Sequence, residues 1–340
     1  MRKLLVGFVL FVTLPAQAAV VFMYHRVGDD RFPSTNVTIA QFEQHLDYLA
    51  ERDIPVWSLP RLVSAMKADE PVPDDVVVIT IDDAYESFYQ NGVPLLEKYD
   101  FPFTVFVSTD PVDEGLGDYM SWEQLRDLAT RGGTLANHTA THAHLLERNA
   151  GEDETAWLES VVQDIGKAQQ RLQAEVGEDI NETPRLFAYP YGEYNAVIAD
   201  RLAMMGYVSF GQHSGALDAA SDRRALPRFP VNERYAALDD FMLKAQTLPM
   251  PVREVEPWDP VVTGNVPPEM EVHLGESRMQ PGSLGCYFGS ERLEPEWSRE
   301  MQVFSVQGSG EIPEGRSRYN CTARHRDNGR YFWFSHLWIR

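Results

Sequence analysis

Four short segments of this 340-residue chain hold residues that could act on a polar substrate: His25-Arg26, Asp82-Asp83, Asn137-His138-Thr139-Ala140-Thr141-His142 and Tyr189-Pro190-Tyr191-Gly192. His138 and His142 stand four apart, a spacing at which both imidazoles can face one ligand from a helix or a tight loop. Two imidazoles and one carboxylate form a familiar catalytic zinc set that leaves positions open for water and substrate. No Glu follows His138, which removes the metalloprotease helix pattern. Taken alone, such a His pair is more often a solvated surface, and an Asp after a strand is as often a helix cap. Asn137-His138-Thr139 also matches a glycosylation acceptor, but a glycan there would block the site.

The elements that must position these residues decide between the readings. Val76-Val77-Val78-Ile79-Thr80-Ile81 is a run of branched residues ending on the two carboxylates. It reads as a parallel-sheet strand buried on both faces. Neighbouring strand side chains point to opposite faces, so Asp82 and Asp83 can share one site only if the backbone turns immediately after Ile81. From Ala19 to Leu248 strands and helices alternate. Val20 to Tyr24 runs into His25, Thr134 to Ala136 into the His pair, and Leu186 to Ala188 into Tyr189. Thr38 with Gln41, and Ser121 with Gln124, are capping boxes that open helices. Trp157, Val161, Ile165, Ala168, Leu172 and Val176 recur at helical spacing and read as core packing. No Gly-x-Gly-x-x-Gly follows the first strand, which removes the usual dinucleotide site. The pattern predicts a distorted parallel β/α barrel over residues 19–248. In such barrels the carboxyl ends of all strands lie on one face, so the four segments converge there and the capping reading of the Asp pair loses.

Residues 1–18 combine Arg2 and Lys3, an apolar stretch from Leu4 to Leu14 and Ala16-Gln17-Ala18, the pattern of a cleaved signal peptide. The expectation is an exported protein, periplasmic or secreted, with no membrane span. A formal charge of -21 argues against nucleic acid as partner. The two cysteines, Cys286 and Cys321, are expected to bond in an oxidising compartment. Closing that loop of about 35 residues contributes roughly 4 kcal/mol in the chain-entropy model. Residues 249–268, rich in proline, read as a linker or an extended wrap. Residues 269–340, with short alternating segments between glycine turns, read as a small β-sandwich-like domain. Its last strand, Tyr331 to Ile339, is rich in aromatics that serve either core packing or sugar stacking.

Thr80-Ile81-Asp82-Asp83, His138-Thr139-x-x-His142 with Leu145 behind it, and Tyr189-Pro190-Tyr191-Gly192 resemble the first three motifs of the NodB-type polysaccharide deacetylases, carbohydrate esterase family 4. Met23-Tyr24-His25-Arg26-Val27 resembles the circularly permuted branch, which places the catalytic histidine on the first strand and includes the poly-β-1,6-N-acetylglucosamine deacetylases. The resemblance spans about residues 20 to 248. It implies an acetylated polysaccharide as substrate and a divalent metal held by Asp83, His138 and His142. Zinc suits these ligands, and cobalt or nickel would also be accepted. It further implies Asp82 as general base, His25 as general acid and the backbone N–H of Tyr191 as an oxyanion donor.

The chain departs from the family where many members carry an arginine two residues before the proline. Here that position is Ala188, and Arg185 is misplaced by three. Arg228, in Leu226-Pro227-Arg228-Phe229-Pro230, is the candidate to orient Asp82 instead, and His144 is a possible substitute metal ligand. The expected activity is removal of N-acetyl groups from N-acetylhexosamine units of an envelope or extracellular polysaccharide. O-acetyl ester hydrolysis and catalytically silent sugar binding are the alternatives.

Overall fold

Alternate residues of the first strands divide between two apolar cores, which is why those strands read as unbroken apolar runs. Val20, Phe22 and Tyr24, with Val77, Ile79 and Ile81, pack against helices, including Phe42 and Leu46 of the helix Ile39–Glu51. Ala19 and Val21, with Val76 and Val78, fill a second core alongside Phe106, Ala136, Ala188 and Phe210. Both faces of each strand are therefore removed from water. A computed structural model describes residues 18–68, 70, 72–177, 184–298 and 302–340. Apart from Ala18, the expected signal peptide lies outside the described residues.

Seven parallel strands form the main sheet. They are β1 (Ala19–Tyr24), β2 (Val76–Asp82), β3 (Phe103–Val107), β4 (Gly133–Asn137), β5 (Arg185–Ala188), β6 (Tyr207–Phe210) and β7 (Phe229–Pro230), in the order β6-β5-β4-β3-β2-β1-β7. The two capping boxes form as the sequence predicts: Thr38 with Gln41 opens Ile39–Glu51, and Ser121 with Gln124 opens Trp122–Thr130. The predicted long helix is Glu154–Val176, with Asp153 as its cap. The sheet curls as a barrel wall, and its last gap is spanned by an irregular segment. Leu226 bridges Phe210 of β6, and Phe229 and Pro230 pair with Phe22 and Met23 of β1. Pro227 and Pro230 keep this stretch from becoming a regular strand. Between them sits Arg228.

Beyond the barrel, the strands β8 (Leu248–Pro249), β9 (Val252–Glu256), β10 (Met270–Leu274), β11 (Gly285–Phe288), β12 (Glu291–Leu293), β13 (Glu296–Ser298), β14 (Val303–Val306), β15 (Arg316–Arg324) and β16 (Tyr331–Ile339) make two sheets. Their orders are β8-β16-β15-β11-β12 and β9-β10-β14-β13. Cys286 and Cys321 sit directly opposite each other on β11 and β15 and are disulfide-bonded. The stretch 249–268 is more than a linker: Val252–Glu256 is antiparallel to β10, and Leu248-Pro249 lies parallel to Phe332-Trp333. Proline density hid these strands, because edge positions tolerate the missing N–H. The aromatic last strand is largely core, with Trp338 fully buried, while Trp333 packs edge-on against Phe229 of the barrel at 5.2 Å. Among the described residues no helix is long and apolar enough to cross a membrane.

Candidate active site

Asp82 is the last residue of β2 and, by alternation, lies on the same face as Val76, Val78 and Thr80. It is fully buried, and so is Arg228. Asp82 Oδ1 accepts from Arg228 Nη1 at 2.7 Å and Oδ2 from Nη2 at 2.8 Å, a two-pronged pair. The guanidinium also donates through Nε to the Gly211 carbonyl at 3.0 Å and through Nη1 to Thr80 Oγ1 at 3.3 Å. Arg185 is exposed, donates to the Met205 carbonyl and lies over the Tyr207 ring, away from Asp82. The chain turns one residue later than expected, at Asp83 (φ 73°) and Ala84 (φ 60°), which brings the second carboxylate into the same site.

That turn uses left-handed backbone, and so do its neighbours. Of the nine non-glycine residues with positive φ among those described, five belong to this site: Asp83, Ala84, Thr139, His142 and Tyr191. Each such conformation costs on the order of 1–3 kcal/mol and persists only where surrounding contacts enforce it. For the histidine loop the contacts come from Asn137, whose Nδ2 donates to the Ile165 carbonyl and whose Oδ1 accepts from the Thr139 N–H, both at 2.9 Å. Thr139 Oγ1 then accepts from the His142 N–H at 2.9 Å, and Ser108 Oγ donates to the His138 carbonyl at 2.9 Å. Asn137 is fully buried in this role.

His138 Nδ1 donates to the Ala188 carbonyl at 2.8 Å. A carbonyl only accepts, so Nδ1 carries the proton and, in the neutral ring, Nε2 presents its lone pair. That lone pair faces Asp83 Oδ1 at 3.4 Å, and His142 Nε2 lies 3.0 Å from the same oxygen. Asp83 Oδ1 and His138 Nε2 are buried with no hydrogen-bond partner. Two unsatisfied acceptors aimed at each other are unfavourable unless a cation lies between them. The three donor atoms all fall within 4.8 Å of one another, and this donor set fits a divalent metal. His144 is not in the group. Its Nδ1 donates to Glu193 Oε2 at 2.8 Å, and its ring stacks on Tyr191 with centroids 3.9 Å apart.

The charges of the site oppose one another. Burial alone would raise the Asp82 carboxyl, but Arg228, His138 and His25 outweigh it and hold the group below the usual carboxylate range. Burial likewise works to raise Asp83, yet the imidazoles of His138, His142 and His25 around it hold it well below that range. His142 is raised: burial lowers it, and the contact with Asp83 more than compensates. His25, half-buried at the end of β1, is lowered, because burial prevails over the attraction of Asp83 and Asp82.

Tyr191 lies in the turn Pro190–Gly192 with φ 58°, followed by Gly192 at φ 72°, where a Cβ would meet Gln212 at 2.7 Å. The Tyr191 carbonyl accepts from Arg316 Nη1, which reaches over from β15. Sequence reasoning overlooked Arg316 and Glu193, which carry no motif, and read Asn137 only as a discarded glycan acceptor. The nearest sequence signal for Glu193 was its position directly after the Pro-Tyr-Gly turn.

Residues 69–210 match the family model described as polysaccharide deacetylase. That stretch contains Asp82, Asp83, His138, His142 and Tyr191, while His25 and Arg228 fall on either side of it. Poly-beta-1,6-N-acetyl-D-glucosamine N-deacetylase of Escherichia coli (strain K12) is 27% identical over 252 residues, 63% of this chain and 36% of that protein. The enzyme of the same name from Staphylococcus aureus (strain MRSA252) is 26% identical over 178 residues, 51% of this chain and 60% of that one. The chain thus spans less than two thirds of the length of either relative. Among solved structures, the Streptococcus pyogenes deacetylase PplD in complex with acetate shares the fold with a TM-score of 0.58 at 20% identity, over 68% of this chain and 99% of that one. IcaB from Ammonifex degensii does so with a TM-score of 0.55 at 24% identity, over 68% and 99%. Residues 69–210 thus match the polysaccharide deacetylase family, within a curled parallel β/α barrel that shares its fold with solved deacetylases.

Proposed function

We propose that this protein is a metal-dependent hydrolase that removes N-acetyl groups from N-acetylglucosamine units of an extracellular or envelope polysaccharide, a poly-β-1,6-linked polymer being the first to test. The observation that carries the reading is the division of labour between adjacent carboxylates. Asp83 faces two imidazoles across unsatisfied acceptor atoms, and Asp82 is locked on a buried guanidinium. A divalent metal, most simply zinc, held by Asp83, His138 and His142 would polarise the acetyl carbonyl and acidify water. The chain's own groups supply the rest. Asp82, kept ionised and in one orientation by Arg228, accepts a proton as general base. The Tyr191 N–H donates to the oxygen on which negative charge develops. His25 delivers a proton to the departing nitrogen, and because burial depresses its pKa, its protonated form is a stronger acid than a solvated imidazolium. The names of the relatives support the polymer, and the disulfide supports an exported protein.

Acetate release from poly-β-1,6-N-acetylglucosamine and from O-acetylated glycans, with and without chelator, tests the reading. Asp82→Asn should abolish turnover while metal content stays near one per chain, whereas Asp83→Ala should lose both. Metal-loaded protein that releases acetate from no polymer would overturn it in favour of a silent sugar binder.

A further inference from the structure

The C-terminal sheets do more than pack beside the barrel: one of their side chains enters the turn that carries the oxyanion donor. We propose that Arg316 is a positioning residue for the deacetylase reaction, holding the Pro190–Glu193 turn so that the Tyr191 N–H points into the site. This rests on the deacetylase reading above.

Arg316 opens β15, and its backbone is anchored opposite Ile339, with Gly315 and Arg340 exchanging both backbone hydrogen bonds at 3.0 Å. From this rigid corner Nη1 donates to the Tyr191 carbonyl, and Nε lies 3.6 Å from Glu193 Oε1. The other Glu193 oxygen accepts from His144 at 2.8 Å, and the His144 ring lies nearly parallel to Tyr191, at 5° and 3.9 Å. Arg316, Glu193, His144 and Tyr191 therefore form a closed circuit around a residue in left-handed backbone. Tyrosine does not favour that conformation, so it must be enforced. The N–H and the C=O of one residue lie in the two peptide planes that meet at its Cα, and φ and ψ set the angle between those planes. Clamping the carbonyl fixes the plane after Tyr191, so the left-handed φ and ψ that direct the N–H are held, and a guanidinium can do this while its Nε faces the Glu193 carboxylate. An ordinary inter-sheet ion pair would instead act on stability alone.

The test is Arg316→Ala and Arg316→Lys in the full-length, metal-loaded protein, assayed on a soluble β-1,6-linked N-acetylglucosamine oligomer. Arg316→Ala should lower kcat about tenfold, with KM within about twofold, since a displaced oxyanion donor weakens only transition-state binding. Arg316→Lys, keeping charge but not the fork, should fall between. Metal content should not change. Independently of turnover, amide hydrogen exchange across Tyr191–Glu193 should quicken in Arg316→Ala. Unchanged kcat with unchanged exchange, or a loss matched by lost metal, would overturn the proposal. An inactive wild-type protein with quickened exchange in the variant would sink the deacetylase reading and leave the clamp standing.

Discussion

Replacing Arg228 with Met tests whether the salt bridge under Asp82 sets its charge. Both partners are fully buried, so the variant leaves a carboxylate without solvent or counter-ion. Breaking a buried pair by removing one partner costs about 3–5 kcal/mol. The Gly211 carbonyl also loses its donor, about 1 kcal/mol more. Against a typical domain stability of about 5–15 kcal/mol the loss is severe. The carboxylate has one escape, which is to take up a proton. In the wild type its pKa lies below the ordinary value, so it contributes stability above about pH 3.9 that is lost as pH falls. In the variant burial dominates, the pKa rises, and the sign reverses: the penalty is largest at high pH and shrinks toward acid. Urea unfolding from pH 5 to 8 should show this, and Asp82→Asn combined with Arg228→Met should recover most of the stability. The acid limb of kcat/KM should move to higher pH, because the base must be ionised to act. A destabilisation under about 1 kcal/mol at pH 7, together with an unmoved acid limb, would refute the assignment.

Buried histidines outside the site should make the protein acid-labile. His45 is lowered to about 4, and His213 and His336 each to about 3, chiefly by burial. Between about pH 6.5 and 4 the unfolded chain binds protons that the fold excludes, so the melting temperature should fall steadily on acidification. A flat profile for metal-free protein across that window would contradict the burial of these rings. Replacing Cys286 and Cys321 with Ser removes a crosslink across 35 residues and should lower stability by roughly 4 kcal/mol, read by denaturant unfolding; under about 1 kcal/mol would mean that the paired strands alone hold the register.

The barrel was legible because its signals are local. Branched runs bury both faces of a strand, and capping boxes satisfy the first N–H groups of a helix within four residues, so Thr38, Gln41, Ser121 and Gln124 announce their helices without help. The candidate site was legible in its types for the same reason, since Asp82, Asp83, His138 and His142 stand at or just after strand ends that a parallel sheet gathers on one face. The strands Val252–Glu256 and Phe229–Pro230 were not legible. Their pairing comes from distant partners and runs against the local proline content. Nor does the alternation rule locate the turn after β2, because nothing local tells that Asp83 and Ala84, rather than Asp82, adopt left-handed backbone.

Sequence alone thus determined which chemistry was on offer: two acids, two imidazoles at a four-residue interval, a Pro-Tyr-Gly turn and a histidine after the first strand. Tertiary structure decided which partners each acid meets. Arg228 lies 146 residues from Asp82 along the chain, and Arg316 lies 125 from Tyr191, distances over which no periodicity operates. Only the closing of the barrel beside β1 brings a guanidinium under one carboxylate and leaves the other facing histidines. The physical reason is that a buried charge must be paired, and the partner is chosen by proximity in space.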